Sequence, residues 1–90
     1  MNVDYKSSFH RHVKKITDPT LKERVRQAVN SVKEAQTPKD IPELRKVKGN
    51  KNGISFRIKV GTYRIGVTIE NNLVIFVAFG HRKDIYKIFP

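Results

Sequence analysis

The residues of this sequence that are best suited to chemistry are four cations and one phenol in its C-terminal half. Arg57, Lys59 and Arg64 lie on two consecutive strand patterns, and Arg82 and Tyr86 lie in a short basic segment after a third. RNA can be cleaved without a metal when a ribose 2′-OH attacks its own phosphate in line and leaves a 2′,3′-cyclic phosphate. That reaction requires cations for the developing phosphorane charge, a base for the 2′-OH and an acid for the leaving 5′-oxygen. Arginine and lysine can supply the cations, and a tyrosine whose pKa is lowered by surrounding cations can supply the base.

The proton donor has two candidates, His81 and Arg82, which are adjacent in the sequence. Neighbouring residues on an extended strand point to opposite faces, so both side chains can face one phosphate only if the strand end twists. Tyr86 also has a simpler interpretation, as an ordinary amphipathic residue at the edge of the core. The pattern leaves both questions open.

Two alternating segments determine where the cations lie. In residues 54–60 and 63–69, apolar residues alternate with polar or small ones, which is typical of strands with one buried face. The Gly-Thr pair at 61–62 predicts a tight turn, since glycine readily adopts a positive φ. These segments therefore predict an antiparallel hairpin.

The register of this hairpin places Lys59 opposite Arg64 and Arg57 opposite Gly66. Like charges directly opposite on a sheet face repel each other, so the cluster needs an explanation. One explanation is a solvated sheet face whose long side chains splay apart. The other is an anion site, in which Gly66 leaves room for a phosphate to approach the backbone beside Arg57.

The remaining elements are predicted from local periodicity and turn residues. We expect a short strand at 2–5, a helix capped by Ser7 or Ser8 that ends near Thr17, and a second helix that begins at Asp18-Pro19 and closes at Thr37-Pro38. Because the connection is so short, the two helices should form an antiparallel αα-hairpin.

Residues 37–53 predict a connector that becomes a basic loop, docked on the core by Leu44 and Val47. The glycines at 49 and 53 are better explained by a turn than by a phosphate cradle, because the Walker spacing is absent. Lys48 and Lys51 belong to this loop.

A third strand, residues 73–79, follows a tight turn at Asn71-Asn72. Its nearly unbroken apolar run indicates a central strand covered on both faces. The helices can cover one face, and the C-terminal residues Ile85, Ile88 and Phe89, or a partner chain, can cover part of the other. The expected fold class is α+β, with an N-terminal αα-hairpin packed on a small antiparallel β-sheet whose other face is open and basic.

Composition limits the classes of function. Ninety residues predict one domain, 1–90, and the absence of cysteine excludes a disulfide framework and a thiolate nucleophile. No segment is long and apolar enough to span a membrane or serve as a signal peptide, so we expect a cytoplasmic protein. The formal net charge of +11 favours a nucleic acid over a membrane surface as the polyanionic partner.

A metal or cofactor is not expected. His10 and His12 are two residues apart on the predicted helix and point away from each other, and no carboxylate is placed to complete a metal site with them. We interpret both as surface histidines. The carboxylates otherwise occur singly along the chain.

The segments RIKVGTYRI (57–65) and GHRKDIY (80–86) together resemble the RelE/ParE superfamily of toxins of type II toxin–antitoxin systems, on its RelE mRNA-interferase branch. The resemblance covers the whole chain in length and element order. It implies a RelE-like fold and a toxin that enters the ribosomal A site, cleaves mRNA there and inhibits translation. It also implies a cognate antitoxin that wraps the toxin surface and silences it.

The resemblance also implies roles for individual residues. Tyr86 is then the general base, Lys59 and Arg64 hold the scissile phosphate, and Arg82 assists the leaving group. Other basic residues would bind RNA: Arg57, His81, Lys83, Lys48 and Lys51. The sequence departs from the family pattern at Arg57, where other members have lysine, and at His81, where some have a basic residue.

Two other functions remain open at this point. The superfamily includes ParE-type gyrase inhibitors that lack the catalytic cluster. A basic nucleic-acid-binding module without catalysis would also account for the charge.

Overall fold

A mixed β-sheet of five strands forms the centre of the computed structural model, which describes residues 1–48 and 53–90. The strands are β1 (Asn2–Tyr5), β2 (Leu44–Lys46), β3 (Ser55–Val60), β4 (Tyr63–Glu70) and β5 (Leu73–His81), in the spatial order β1-β5-β4-β3-β2. The helices are α1 (Ser7–Val13), α2 (Pro19–Glu34) and the single turn α3 (Ile85–Ile88). A short 3₁₀ turn spans Pro38–Asp40.

The β3–β4 hairpin has the predicted register. Lys59 pairs with Arg64 and Arg57 pairs with Gly66. Gly61 has a φ of 60° in the turn, which confirms that this position needs a residue tolerant of the left-handed region. Asn71 has a φ of 53° in the turn between β4 and β5, as the sequence also predicted.

The sheet is only partly the small antiparallel meander that the sequence predicted. β1 adds to β5 in a parallel orientation, and β2 pairs with β3 along the opposite edge. The prediction treated Leu44–Lys46 as loop because three residues are too few to establish an alternation. The sheet is therefore mixed and two strands wider than the meander.

Helix α2 begins and packs as predicted. The Asp18 carboxylate accepts a hydrogen bond from the Thr20 N–H at 2.9 Å, and Pro19 occupies the first turn. Val25 and Val32 face the core. At the other end of the helix, the Met1 ammonium donates to the carbonyls of its last turn and of Ala35, where a positive charge is favourable.

Helix α1 differs from the prediction at both ends. Lys6 is the N-cap, without a side-chain capping bond, and Ser7 and Ser8 lie inside the helix. The Ser8 hydroxyl donates to the carbonyl of Val77 on β5. The helix ends at Val13 and not near Thr17, since the chain must turn to reach the extended residue that precedes Pro19. The expected αα-hairpin is also only partly matched: α1 packs mainly on β5, and α2 packs mainly on β3 and β1.

The sheet has a core on each face. The larger core lies under α1 and α2 and includes Phe9, Val32 and Phe76. The smaller one, on the opposite face, consists of Val47, Ala78, Ile85 and Phe89, with Val77 packed against it.

Two features of β5 and the C-terminal segment explain the second core. A bulge leaves Val77 unpaired between Ala78, which pairs with Gly66, and Phe76, which pairs with Val67. The predicted cover of this face is confirmed for Ile85 and Phe89, which are 1% and 4% exposed. Ile88 covers it in part: its Cδ1 lies 3.4 Å from the Cβ position of Gly80 on β5, and the residue is 45% exposed. None of the helices in the described ranges has the length and apolarity to cross a membrane.

Candidate active site

The predicted site residues lie towards one end of the sheet, where β3, β4 and β5 end or begin. Arg64 lies opposite Lys59 on β3 and opposite Gly80 on β5. The backbone N–H of Arg82 donates to the carbonyl of Thr62 in the β3–β4 turn at 2.8 Å. The basic segment after β5 therefore folds over the hairpin, as the sequence predicted.

A cleft of about 260 Å³ opens at this end of the sheet, and we call it the arginine cleft. Its lining is formed by Arg57, Arg64, Arg82, Lys83, Ile85 and Tyr86. The cations come from β3, β4 and the segment after β5, so residues far apart in sequence converge there. Such a concentration of positive charge in a concave site attracts a phosphate.

Two of the arginines are held in place by backbone oxygens. The Arg64 Nη1 donates to the carbonyls of Gly61 at 2.9 Å and Tyr63 at 2.8 Å, so this guanidinium is anchored to the β3–β4 turn. The Arg57 Nη2 donates to the Pro90 oxygen at 3.3 Å. Fixed guanidinium groups bind an anion with little loss of side-chain entropy.

Tyr86 lies at the mouth of the arginine cleft and is 69% exposed. The Arg57 guanidinium carbon is 4.7 Å from the centroid of its ring, which is a cation–π contact. The interpretation of Tyr86 as a core-edge residue is therefore wrong, because α3 directs its ring outward, while its neighbour Ile85 is buried.

The predicted role of Gly66 in phosphate binding is wrong. An atom at the Cβ position of Gly66 would lie 2.6 Å from the Phe89 ring. The space beside Arg57 on the sheet is therefore occupied by Phe89, and the glycine is needed for the packing of this ring.

Among the four predicted catalytic residues, Lys59 is the one that does not line the arginine cleft. It contributes to a separate cleft of about 470 Å³ between α2 and the β3–β4 turn, together with residues that include Arg24, Ser31 and Glu43. Its side chain is exposed, and its backbone is directly opposite that of Arg64.

The two candidate proton donors separate onto different sides of the strand end. Arg82 lines the arginine cleft. The His81 ring meets the Tyr63 ring edge-on at 5.4 Å between centroids, and its Nδ1 accepts a hydrogen bond from the Lys83 N–H at 3.1 Å. The alternation of side chains along the strand accounts for this separation.

A second basic cleft adjoins the first along β2. It includes Lys48, a predicted RNA-binding residue, and it shares Arg57 and Tyr86 with the arginine cleft. Arg45 and Lys46 also line it, and neither was predicted from the sequence, because β2 was interpreted as part of the connector. The predicted residue Lys51 lies outside the described residues.

Few of the cations in the described part of the chain are neutralised by carboxylates. The one ion pair found there joins Arg26 and Glu23 on α2, at 2.6 Å. The electrostatic character of the arginine cleft is therefore cationic.

No group of three or more metal-ligating side chains occurs among residues 1–48 and 53–90 in an arrangement that would hold a metal ion.

The interpretation of His12 as a surface histidine is wrong. Its Nδ1 accepts a hydrogen bond from the backbone N–H of Phe79 at 3.2 Å, so the ring fastens α1 to β5. Desolvation by burial, and then the charges of Arg11 and Lys15, lower the pKa of His12 below its ordinary value. A neutral imidazole is the form that accepts this bond.

Comparison with known proteins identifies the family. Residues 3–86 match the sequence model of a family described as the ParE toxin of the type II toxin–antitoxin system parDE. The chain belongs to this toxin family. It is also 30% identical over 91 residues to Toxin RelE3 of Methanocaldococcus jannaschii, with all of both chains covered. The predicted resemblance to RelE/ParE toxins is thereby confirmed.

Solved structures of RelE/ParE toxins have the same fold. The RelB-RelE antitoxin–toxin complex from Methanococcus jannaschii matches with a TM-score of 0.77 at 26% identity, covering 97% of this chain and 99% of that one. An archaeal RelE-RelB complex from Pyrococcus horikoshii matches with a TM-score of 0.70 at 13% identity, covering 90% and 93%. At the latter identity the likeness concerns the fold alone.

Proposed function

We propose that this toxin is a ribosome-dependent mRNA endoribonuclease that inhibits translation. The observation that carries the proposal is the arginine cleft, where cations from three segments surround the exposed ring of Tyr86. A phosphate bound there lies within reach of a phenol and of guanidinium groups. Because its target is the ribosome, the proposal places the protein in the cytoplasm.

The proposed reaction is an internal transfer of the phosphodiester. Tyr86 acts as the general base that takes the proton from a ribose 2′-OH, whose oxygen attacks the adjacent phosphorus. Arg64 and Lys59 stabilise the negative charge that develops on the phosphoryl oxygens. The bond to the 5′-oxygen breaks as Arg82 stabilises the negative charge on that oxygen, which takes up a proton from water, and Tyr86 returns its proton to the solvent. The products carry a 2′,3′-cyclic phosphate and a 5′-OH.

Lys59 takes part in this reaction only if its side chain turns towards the cleft when RNA binds. Two features support this movement: the side chain is exposed, and the residue is the direct cross-strand partner of Arg64. Exposed lysine side chains change rotamer on a nanosecond timescale. The role of Lys59 as a phosphate ligand is part of the proposal.

Further basic residues are proposed to bind the RNA strand on either side of the cut. Arg57 and Lys83 line the arginine cleft, and Lys48 lines the adjoining one. His81 lies next to Arg82, and Lys51 is three residues from Lys48 in the sequence. Phosphate contacts of this kind contribute affinity that depends strongly on salt.

The proposed protein partner is a cognate antitoxin. The two archaeal structures compared above are complexes of RelE with RelB. A net charge of +11 makes an acidic antitoxin the complementary partner. Binding over the arginine cleft would prevent access of RNA and keep the toxin inactive.

The test of the proposed activity is to map mRNA ends on ribosomes exposed to the toxin. The comparison is between the wild type and three variants: Arg64→Ala, Arg82→Ala and Tyr86→Phe. We expect cleavage within A-site codons by the wild type and loss of cleavage and of growth inhibition in each variant. If all three variants cut like the wild type, the assignment of the active site is wrong.

A gyrase-inhibiting toxin without nuclease activity is the second candidate, because the matching family model is described as ParE. It predicts trapped gyrase and DNA damage while mRNA stays intact. A supercoiling assay with purified gyrase, run beside the mRNA mapping, separates the two functions.

A further inference from the structure

Arg57 contacts both Tyr86 and the C-terminal end of the chain. The Arg57 guanidinium lies over the Tyr86 ring, with 4.7 Å between its carbon and the ring centroid. Its Nη2 donates to the Pro90 oxygen at 3.3 Å. Its Nε is buried and has no hydrogen-bond partner among the described residues. The guanidinium is therefore engaged with two residues of the C-terminal segment, Tyr86 and Pro90.

The neighbouring strand holds the same segment by a second contact. Gly66 pairs directly with Arg57 in the sheet, and the Phe89 ring packs on Gly66 where a side chain would otherwise stand. Phe89 is 4% exposed. Arg57 and Gly66 thus form one platform on adjacent strands, on which the segment from Tyr86 to Pro90 rests.

The two contacts have different consequences for Tyr86. The packing of Phe89 on Gly66 fixes the backbone of α3 but leaves the Tyr86 side chain free to rotate about its own bonds. The guanidinium that lies against the ring restricts that rotation. Correct placement of a catalytic group within about 1 Å is worth a large factor in rate.

We propose that Arg57 is a positioning residue, which orders the Tyr86 ring at the mouth of the arginine cleft by stacking on it. This inference rests on the nuclease function proposed above. It assigns to Arg57 a task in addition to the RNA binding proposed above. Lysine cannot replace arginine in this task, because an ammonium group is a compact charge without a planar face to stack on a ring.

The test compares Arg57→Lys with the wild type in two measurements. The first is cleavage of a short mRNA on programmed ribosomes, with the rate constant at saturation and the KM determined separately. We expect the rate to fall about tenfold or more, while the KM changes less than about threefold, because the positive charge is kept. Arg26→Lys on the exposed side of α2 is the matched control, and we expect it to leave both parameters unchanged.

The second measurement is NMR of the purified chain. We expect a nuclear Overhauser contact between the Arg57 side chain and the Tyr86 ring, and ring-proton line shapes that indicate restricted motion. Both signals should be lost in Arg57→Lys. Both should persist in Tyr86→Phe, which keeps the stacked ring and removes the phenol, although this variant should not cleave RNA.

These outcomes test the positioning role of Arg57 separately from the proposed nuclease function. A raised KM with an unchanged rate in Arg57→Lys would show an ordinary phosphate contact and overturn the inference. An unchanged Tyr86 ring signal in that variant would overturn it as well. If the wild type does not cleave mRNA at all, the proposed nuclease function fails, and the NMR contact alone decides whether Arg57 orders Tyr86.

Discussion

Gly66 and Phe89 fit together because Gly66 has no side chain: an atom at its Cβ position would lie 2.6 Å from the Phe89 ring. Real Cβ atoms do not approach a ring so closely, and Phe89 is buried, so it has little room to withdraw. This contact fastens the C-terminal turn to the strand pair that also carries Arg57. A substitution far from any phosphate can therefore disturb the position of Tyr86.

Gly66→Ala should destabilise the protein by about 1–3 kcal/mol, because the added methyl group overpacks the second core. Urea denaturation measures the change in the free energy of unfolding. Gly80→Ala on β5 is the matched control: its Cβ would meet Ile88 at 3.4 Å, an ordinary contact, so we expect a change within about 0.5 kcal/mol. Equal stability of Gly66→Ala and the wild type would contradict the packing described here.

The part of the site that the sequence predicted correctly rests on local rules. A two-residue turn and a strict period of two determine the hairpin register, so the pairing of Lys59 with Arg64 follows from the sequence alone. The same rules place Arg82 near the hairpin once β5 is recognised as the next strand of the meander. Asp18 and Pro19 likewise predict the start of α2 from residue types alone.

The parts that the sequence did not predict depend on contacts between distant segments. Nothing near Gly66 in the chain indicates that Phe89 will pack on it, so an empty space beside Arg57 was a reasonable but wrong expectation. The sequence predicted β1 as a short strand but not its parallel pairing with β5, and it did not predict β2, whose three residues are too few for a periodic signal. Both pairings depend on the edges that the meander leaves free. The hydrogen bond from Phe79 to His12 is equally non-local.

Salt dependence should identify the cations that contact RNA phosphates. Lys83 lines the arginine cleft and Lys48 lines the adjoining cleft, so replacing either with alanine should remove about one phosphate contact. The slope of log affinity for a single-stranded RNA against log salt should then become shallower by about 0.7 per substitution. Fluorescence anisotropy at several salt concentrations measures this slope.

Lys33→Ala, in the last turn of α2, is the control for this experiment and should leave the slope unchanged. If Lys33→Ala and Lys83→Ala reduce the slope equally, RNA affinity depends on the overall charge of the protein, and RNA does not bind specifically in the two clefts.

His12 should make the stability of the protein depend on pH. Burial, and then the charges of Arg11 and Lys15, lower its pKa below 6.5 in the folded state. Just below pH 6.5 the unfolded chain therefore binds more protons than the folded one, so the free energy of unfolding rises with pH in this window. The stability that the neutral imidazole contributes is complete above about pH 6.5, and it is lost as the pH falls towards the folded-state pKa.

His12→Asn separates this effect from other titrations, because the amide oxygen can accept the hydrogen bond of Phe79 but does not titrate. Thermal unfolding between about pH 5 and 7.5 should show a weaker dependence on pH in this variant. His10→Asn, an exposed histidine on the same helix, should retain the wild-type dependence. If the stability of His12→Asn depends on pH as that of the wild type does, other titratable groups cause the loss of stability at low pH.

Tyr86→Phe should strongly reduce cleavage with little effect on folding, since Tyr86 is 69% exposed and the variant loses a single hydroxyl group. Loss of a general base typically lowers the rate 10²- to 10⁴-fold, so the rate constant on saturated ribosomes should fall by about that factor. Tyr5→Phe is the matched control, because Tyr5 stacks on Phe76 within the larger core and does not line the arginine cleft. Single-turnover cleavage followed on gels gives the rate, and urea denaturation shows that both variants are folded. A Tyr86→Phe variant that cuts at the rate of Tyr5→Phe would exclude the phenol as the base and leave the cations of the arginine cleft as the catalytic groups.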